Sequence, residues 1–100
     1  MARSLFADRA SLASVCRRHH IRQLSLFGST LKGTDRSDSD VDLLVEFEPG
    51  FAPGLIRLAG IATELSGLLG GRQVDLRTAG DLSRYFRDEV VRTAEVQYAA

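Results

Sequence analysis

Apolar residues along this chain recur in two rhythms, one near four residues and one of two, and the changes between them divide it into elements. Between Ala7 and His20, Leu12, Val15 and Cys16 fall at near-helical spacing with arginines between them and Leu5 just ahead, which predicts an amphipathic first helix. Leu24-Ser25-Leu26-Phe27 predicts a short strand running into Gly28, and Thr30 to Ser39 has the Gly, Asp and Ser content of a solvent-facing loop. From Val41 to Phe47 the alternation puts Val41, Leu43, Val45 and Phe47 on one face of a second strand and leaves Asp40 and Asp42 together on the other. After a connection punctuated by Pro49, Gly50, Pro53 and Gly54, Leu55, Leu58, Ala62, Leu65 and Leu69 mark a helix that Gly70-Gly71 is expected to end. Arg72 to Arg77 predicts a third strand with Asp75 facing away from Val74 and Leu76. Gly80-Asp81 is expected to cap a terminal helix striped by Leu82, Phe86, Val90, Ala94 and Tyr98, on which Tyr85, Val91 and Tyr98 are read as packing residues, with a partner interface as the alternative.

Helix, strand, strand, helix, strand, helix is the predicted order. It implies an α/β (α+β) domain spanning residues 1–100, with a small mixed β-sheet packed by helices on one face and free on the other to carry a site. No internal repeat, low-complexity tract or linker interrupts it.

Composition narrows the chemistry. With 100 residues there is room for one core and no separate module to hold a large acceptor, so such an acceptor is expected to arrive on another molecule. Thirteen basic and thirteen acidic side chains cancel, and without a positive field direct nucleic-acid binding is not expected. No apolar stretch approaches the roughly 20 residues of a membrane span, and the N-terminus does not read as a secretory signal, so a cytoplasmic protein is expected. The single cysteine, Cys16, has no partner for an internal disulfide and no companions at zinc spacing, and it reads as a small buried apolar residue.

Three aspartates then stand out. Asp40 and Asp42 project to the same side of an extended segment, roughly 6 to 7 Å apart at the backbone. If the third strand pairs beside the second, Asp75 reaches the same point, and an all-oxygen anionic cluster suits magnesium, or manganese, rather than zinc. Upstream, Gly28 lacks a Cβ, so the backbone can approach a phosphate, and the amides of Gly28, Ser29 and Thr30 can donate to its oxygens. The Ser29 hydroxyl and the Lys32 ammonium could add a donor and a charge. Together these are the parts of metal-assisted phosphoryl or nucleotidyl transfer. Each part also has an ordinary reading: a Gly-Ser turn, solubilising loop aspartates, a salt-bridged strand residue. A calcium loop starting at Asp38 is the poorer match, because Leu43 stands where that loop needs glycine.

Gly28-Ser29, ten residues, then Asp40-Val41-Asp42 resembles the signature of the minimal nucleotidyltransferases of the DNA polymerase beta superfamily. The likeness runs through the Leu-rich helix and Val74-Asp75-Leu76 to Tyr85–Tyr98 and so covers nearly the whole chain. It implies a polymerase-beta-like palm, with Asp40, Asp42 and Asp75 as catalytic magnesium ligands and Gly28 and Ser29 holding a nucleoside triphosphate. Members of this size resemble the antitoxin half of HEPN/MNT toxin/antitoxin pairs, which implies transfer of AMP from ATP to a tyrosine of a cognate HEPN toxin ribonuclease, in a hetero-oligomer with it. Many relatives carry Ala-Arg-Gly where this chain has Leu31-Lys32-Gly33, so a point charge replaces a bidentate fork. A binding-only antitoxin and a transferase acting on a small molecule are the rival readings.

Overall fold

The computed structural model describes residues 5–28, 40–85 and 87–100. Its elements are α1 (Arg9–Arg18), β1 (Ile21–Phe27), β2 (Val41–Phe47), α2 (Leu55–Gly67), β3 (Val74–Arg77), a 3₁₀ turn (Ala79–Asp81), α3 (Arg87–Thr93) and β4 (Glu95–Ala99). The four strands form one mixed sheet in the order β3-β2-β1-β4, with β2 and β3 parallel and the other neighbours antiparallel. The expected loop from Thr30 to Ser39, and Phe86, lie outside the described residues.

Alternation decides which way the sheet faces. Leu24 and Leu26 of β1, Val41, Leu43 and Val45 of β2 and Val74 of β3 are buried in one core with Leu12, Val15 and Cys16 of α1, Ile61 and Leu65 of α2, and Phe6. Both helices therefore pack on one side, as the apolar stripes require. Asp8 caps α1, its carboxylate accepting from the Ser11 amide at 3.0 Å and from the Ser11 hydroxyl at 2.7 Å. Helix α2 stops at Gly67, earlier than Gly70-Gly71, but Gly71, in the left-handed region at φ 89°, still donates its amide to the Ser66 carbonyl at 3.0 Å. Cys16 is fully buried, and that burial pushes its thiol up to about 11, as befits a packing residue.

The C-terminal quarter departs from expectation. The predicted helix from Leu82 to Tyr98 is a 3₁₀ turn, a seven-residue helix and a fourth strand. Asp81 does not cap a long helix; its carboxylate accepts from the Thr78 amide at 3.1 Å and the Thr78 hydroxyl at 3.0 Å, closing the turn on itself. β4 pairs with β1, and the buried Gln97 accepts from the Leu5 amide at 2.8 Å through its side-chain oxygen. The edge of β1 would otherwise be open, so pairing outweighs the four-residue stripe. Of the three presumed packing residues, Tyr98 does pack against the core, whereas Tyr85 and Val91 are exposed. Among the described residues no helix is long and apolar enough to cross a membrane.

Candidate active site

Parallel pairing of β2 with β3 sets the register Val41↔Val74, Asp42↔Asp75, Leu43↔Leu76 and Leu44↔Arg77. Val41 and Val74 turn into the core, so Asp42 and Asp75 stand side by side on the face opposite α1 and α2. Two carboxylates on neighbouring strands, ~5 Å apart, repel by about 3 kcal/mol at an effective dielectric near 20 and by under about 1 kcal/mol in bulk water. Between the two charges themselves, that placement is a cost. Asp75 is offset in part by Arg77, whose Nε donates to Asp75 Oδ2 at 3.3 Å; both side chains are partly exposed.

Gly28 completes the edge. It follows β1 at φ 75°, in the left-handed region, and Phe27 is the register partner of Asp42. A Cβ on Gly28 would collide with Oδ2 of Asp42 and come within 3.0 Å of its Cγ. Glycine is thus required twice, by its backbone angle and by the carboxylate lying against its Cα. Sequence reasoning gave Gly28 the task of approaching a phosphate; its contact with Asp42 is an additional one, which only the β1–β2 register discloses.

Asp40 precedes β2 on an exposed stretch, two residues from Asp42. Among the described residues, no three His, Cys, Asp or Glu side chains are gathered as a ready metal cluster. What the structure brings together is Asp42, Asp75 and Gly28. Ser29, Thr30 and Lys32 lie outside the described residues. The donor chemistry fits a hard divalent cation: carboxylate oxygens on rigid strands, beside a backbone position that no larger residue could occupy.

Two residues along β2 from Asp42, Leu44 begins a groove of about 690 Å³ on the same face, walled by Phe51–Leu55, by the 3₁₀ turn and by Val91. Sequence reasoning did not anticipate it, because it depends on α3 folding back toward β1. A separate cluster ties the helices together behind the sheet. Glu64 of α2 meets His19 Nε2 at 2.5 Å and Arg18 Nη2 at 2.7 Å. His19, followed by Arg18, holds the Glu64 carboxyl below its ordinary range.

Comparison with known proteins gives the chain a family. Residues 9–98 match the nucleotidyltransferase domain family. The chain is 38% identical over 81 residues to the protein adenylyltransferase MntA of Thermococcus cleftensis, covering 81% of this chain and 77% of that one. A solved structure assigned as a minimal nucleotidyltransferase superposes with a TM-score of 0.69 at 40% identity, covering 88% of this chain and 87% of that chain. The fold is also that of a toxin–antitoxin crystal structure with AMP-PNP (TM-score 0.71, 22% identity, 93% and 74% coverage). It is shared with a complex of a tri-AMPylated Shewanella oneidensis HEPN toxin and its MNT antitoxin (TM-score 0.58, 20% identity, 92% and 70% coverage). The chain belongs to the nucleotidyltransferase domain family, among its minimal members.

Proposed function

We propose that this protein is a magnesium-dependent protein adenylyltransferase that moves AMP from ATP to a tyrosine of a cognate HEPN toxin and so acts as its antitoxin. The observation that carries the reading is the in-register pair Asp42↔Asp75 beside a glycine whose Cα abuts the Asp42 carboxylate. It is further supported by the adenylyltransferase relative and by the AMPylated toxin in complex with an antitoxin of the same fold.

Asp40, Asp42 and Asp75 would hold magnesium, or manganese, which when bound neutralises the triphosphate and lowers the pKa of the attacking hydroxyl. Gly28 brings the backbone close to the phosphates, and Ser29, Thr30 and Lys32 are assigned the remaining donors and charge. The tyrosine hydroxyl releases its proton to solvent as its oxygen attacks the α-phosphorus, the bond from that phosphorus to the oxygen bridging to the β-phosphorus breaks, and pyrophosphate leaves. Asp75 is the carboxylate assigned nearest the nucleophile. The chain's own contribution is placement: strands fix the carboxylates, and in-line geometry follows from a rigid sheet. We take residues 1–100 as one such domain, working in the cytoplasm in a hetero-oligomer with the toxin.

Incubation with labelled ATP, magnesium and a HEPN protein encoded beside this chain should label that partner. Asp42→Asn should cut labelling by at least about a hundredfold, the scale of losing several kcal/mol of charge stabilisation, and Asp40→Asn should do the same. Full activity in both variants would overturn the site. A second reading, antitoxin by binding alone, is favoured by exposed apolar side chains at Phe51, Leu55, Ile56, Tyr85 and Val91. In that case the Asp42→Asn protein would silence the toxin without ATP as well as the wild type does.

A further inference from the structure

Arg77 sits two residues beyond Asp75 on β3, on the same face, and its cross-strand neighbour is Leu44. Leu44 offers no acceptor, so the guanidinium turns back along its own strand to Asp75 Oδ2, 3.3 Å from Nε. The next acidic residue along that face of β2, Glu46, is engaged by Arg22 at 3.4 Å. On its other side Arg77 is close enough to Asp81 to help hold that carboxyl below its ordinary range, after the two hydrogen bonds from Thr78. Asp75, Arg77 and Asp81 line one pocket, so the guanidinium has a carboxylate of the site in contact and a second carboxylate, outside the site, in its neighbourhood.

We propose that Arg77 is a built-in counter-ion that occupies Asp75 in the metal-free protein, competes with the divalent cation for that carboxylate, and yields it by turning toward Asp81. The inference rests on the reading of Asp42 and Asp75 as metal ligands. Two opposing effects of Arg77 have to be weighed. Holding Asp75 in one orientation helps a cation by restricting a short side chain, a small gain. Presenting a full positive charge at the same carboxylate hinders a doubly charged ion, and that Coulomb effect is the larger even in high dielectric. The net effect is competition.

The test is direct Mn²⁺ binding to the whole chain without nucleotide, read from the EPR signal of free Mn²⁺. Arg77→Gln should bind about three- to tenfold more tightly than the wild type, a range set by one partly exposed charge contact. Arg77→Lys should stay near wild type because the charge remains. In an Asp75→Asn background the gain from Arg77→Gln should disappear. A second readout is melting in EDTA, where Arg77→Gln should lie below wild type because Asp75 loses its counter-ion, and Mn²⁺ should close the gap. Equal or weaker Mn²⁺ binding by Arg77→Gln, or a gain that persists without Asp75, would reduce Arg77 to a surface ion pair and overturn the proposal alone. Failure of both wild type and Arg77→Gln to bind Mn²⁺ at millimolar concentration would overturn the metal reading and this inference together.

Discussion

At the scale of the residue, Gly28 is the position with least latitude. Alanine there must adopt φ 75° and must also displace the Asp42 carboxylate, whereas Gly50, at φ 90°, has open space where a Cβ would go. Gly28→Ala is therefore expected to cost about 1–3 kcal/mol of stability and to abolish transfer, while Gly50→Ala should show only the smaller backbone penalty. Chemical denaturation of the two variants beside wild type checks this, and equal midpoints would remove the collision from the account. The placement of Asp42 and Asp75 away from the core was legible because a period of two forces each away from apolar neighbours it can be compared with. Gly28's contact with Asp42 was not, since it depends on which residue of β2 lies opposite Phe27, a fact of pairing that local sequence does not encode.

At the scale of the element, α1 and α2 are joined by Glu64, and the junction titrates. The Glu64 carboxyl is depressed from an ordinary value of 4.5 chiefly by His19 and then by Arg18. A carboxyl with a lowered folded-state pKa contributes stability that is present above its unfolded value and is lost as pH falls through the folded one. Glu64→Gln should accordingly flatten the stability profile below about pH 4.5; urea midpoints across that range measure it, and an unaltered acid limb would discount the junction. Helices α1 and α2 and strand β2 were readable from periodicity alone. β4 was not: Leu82, Phe86, Val90, Ala94 and Tyr98 do fall four apart in the sequence, yet Glu95-Val96-Gln97-Tyr98 alternates as well, and short segments that satisfy both periods are decided by what they pack against. The decisive partner, the open side of β1, lies some seventy residues away.

At the scale of the whole molecule, that last strand closes the sheet. β4 supplies the pairing of β1 on the side away from β2, the Ala100 amide donates to the Arg22 carbonyl at 2.8 Å, and Gln97 satisfies the Leu5 amide. A chain stopped at Ala94 is expected to lose cooperative unfolding and to self-associate through the uncovered strand, seen as a broadened thermal transition and earlier elution on size exclusion. A sharp, monomeric transition would show that three strands suffice. Asp75, the third carboxylate assigned to the site, hangs from the other border of the sheet, on a strand of only four residues. Its parallel alignment with β2 is continuous with the segment Leu68–Gln73, so the parity of that connection becomes a hidden catalytic parameter. A one-residue slip would swing Asp75 under the helices and present Leu76 to the nucleotide, whereas a two-residue slip would keep a polar side chain outward at the wrong height. Evolution can thus retune this enzyme, or silence it, by counting residues in the connection between α2 and β3.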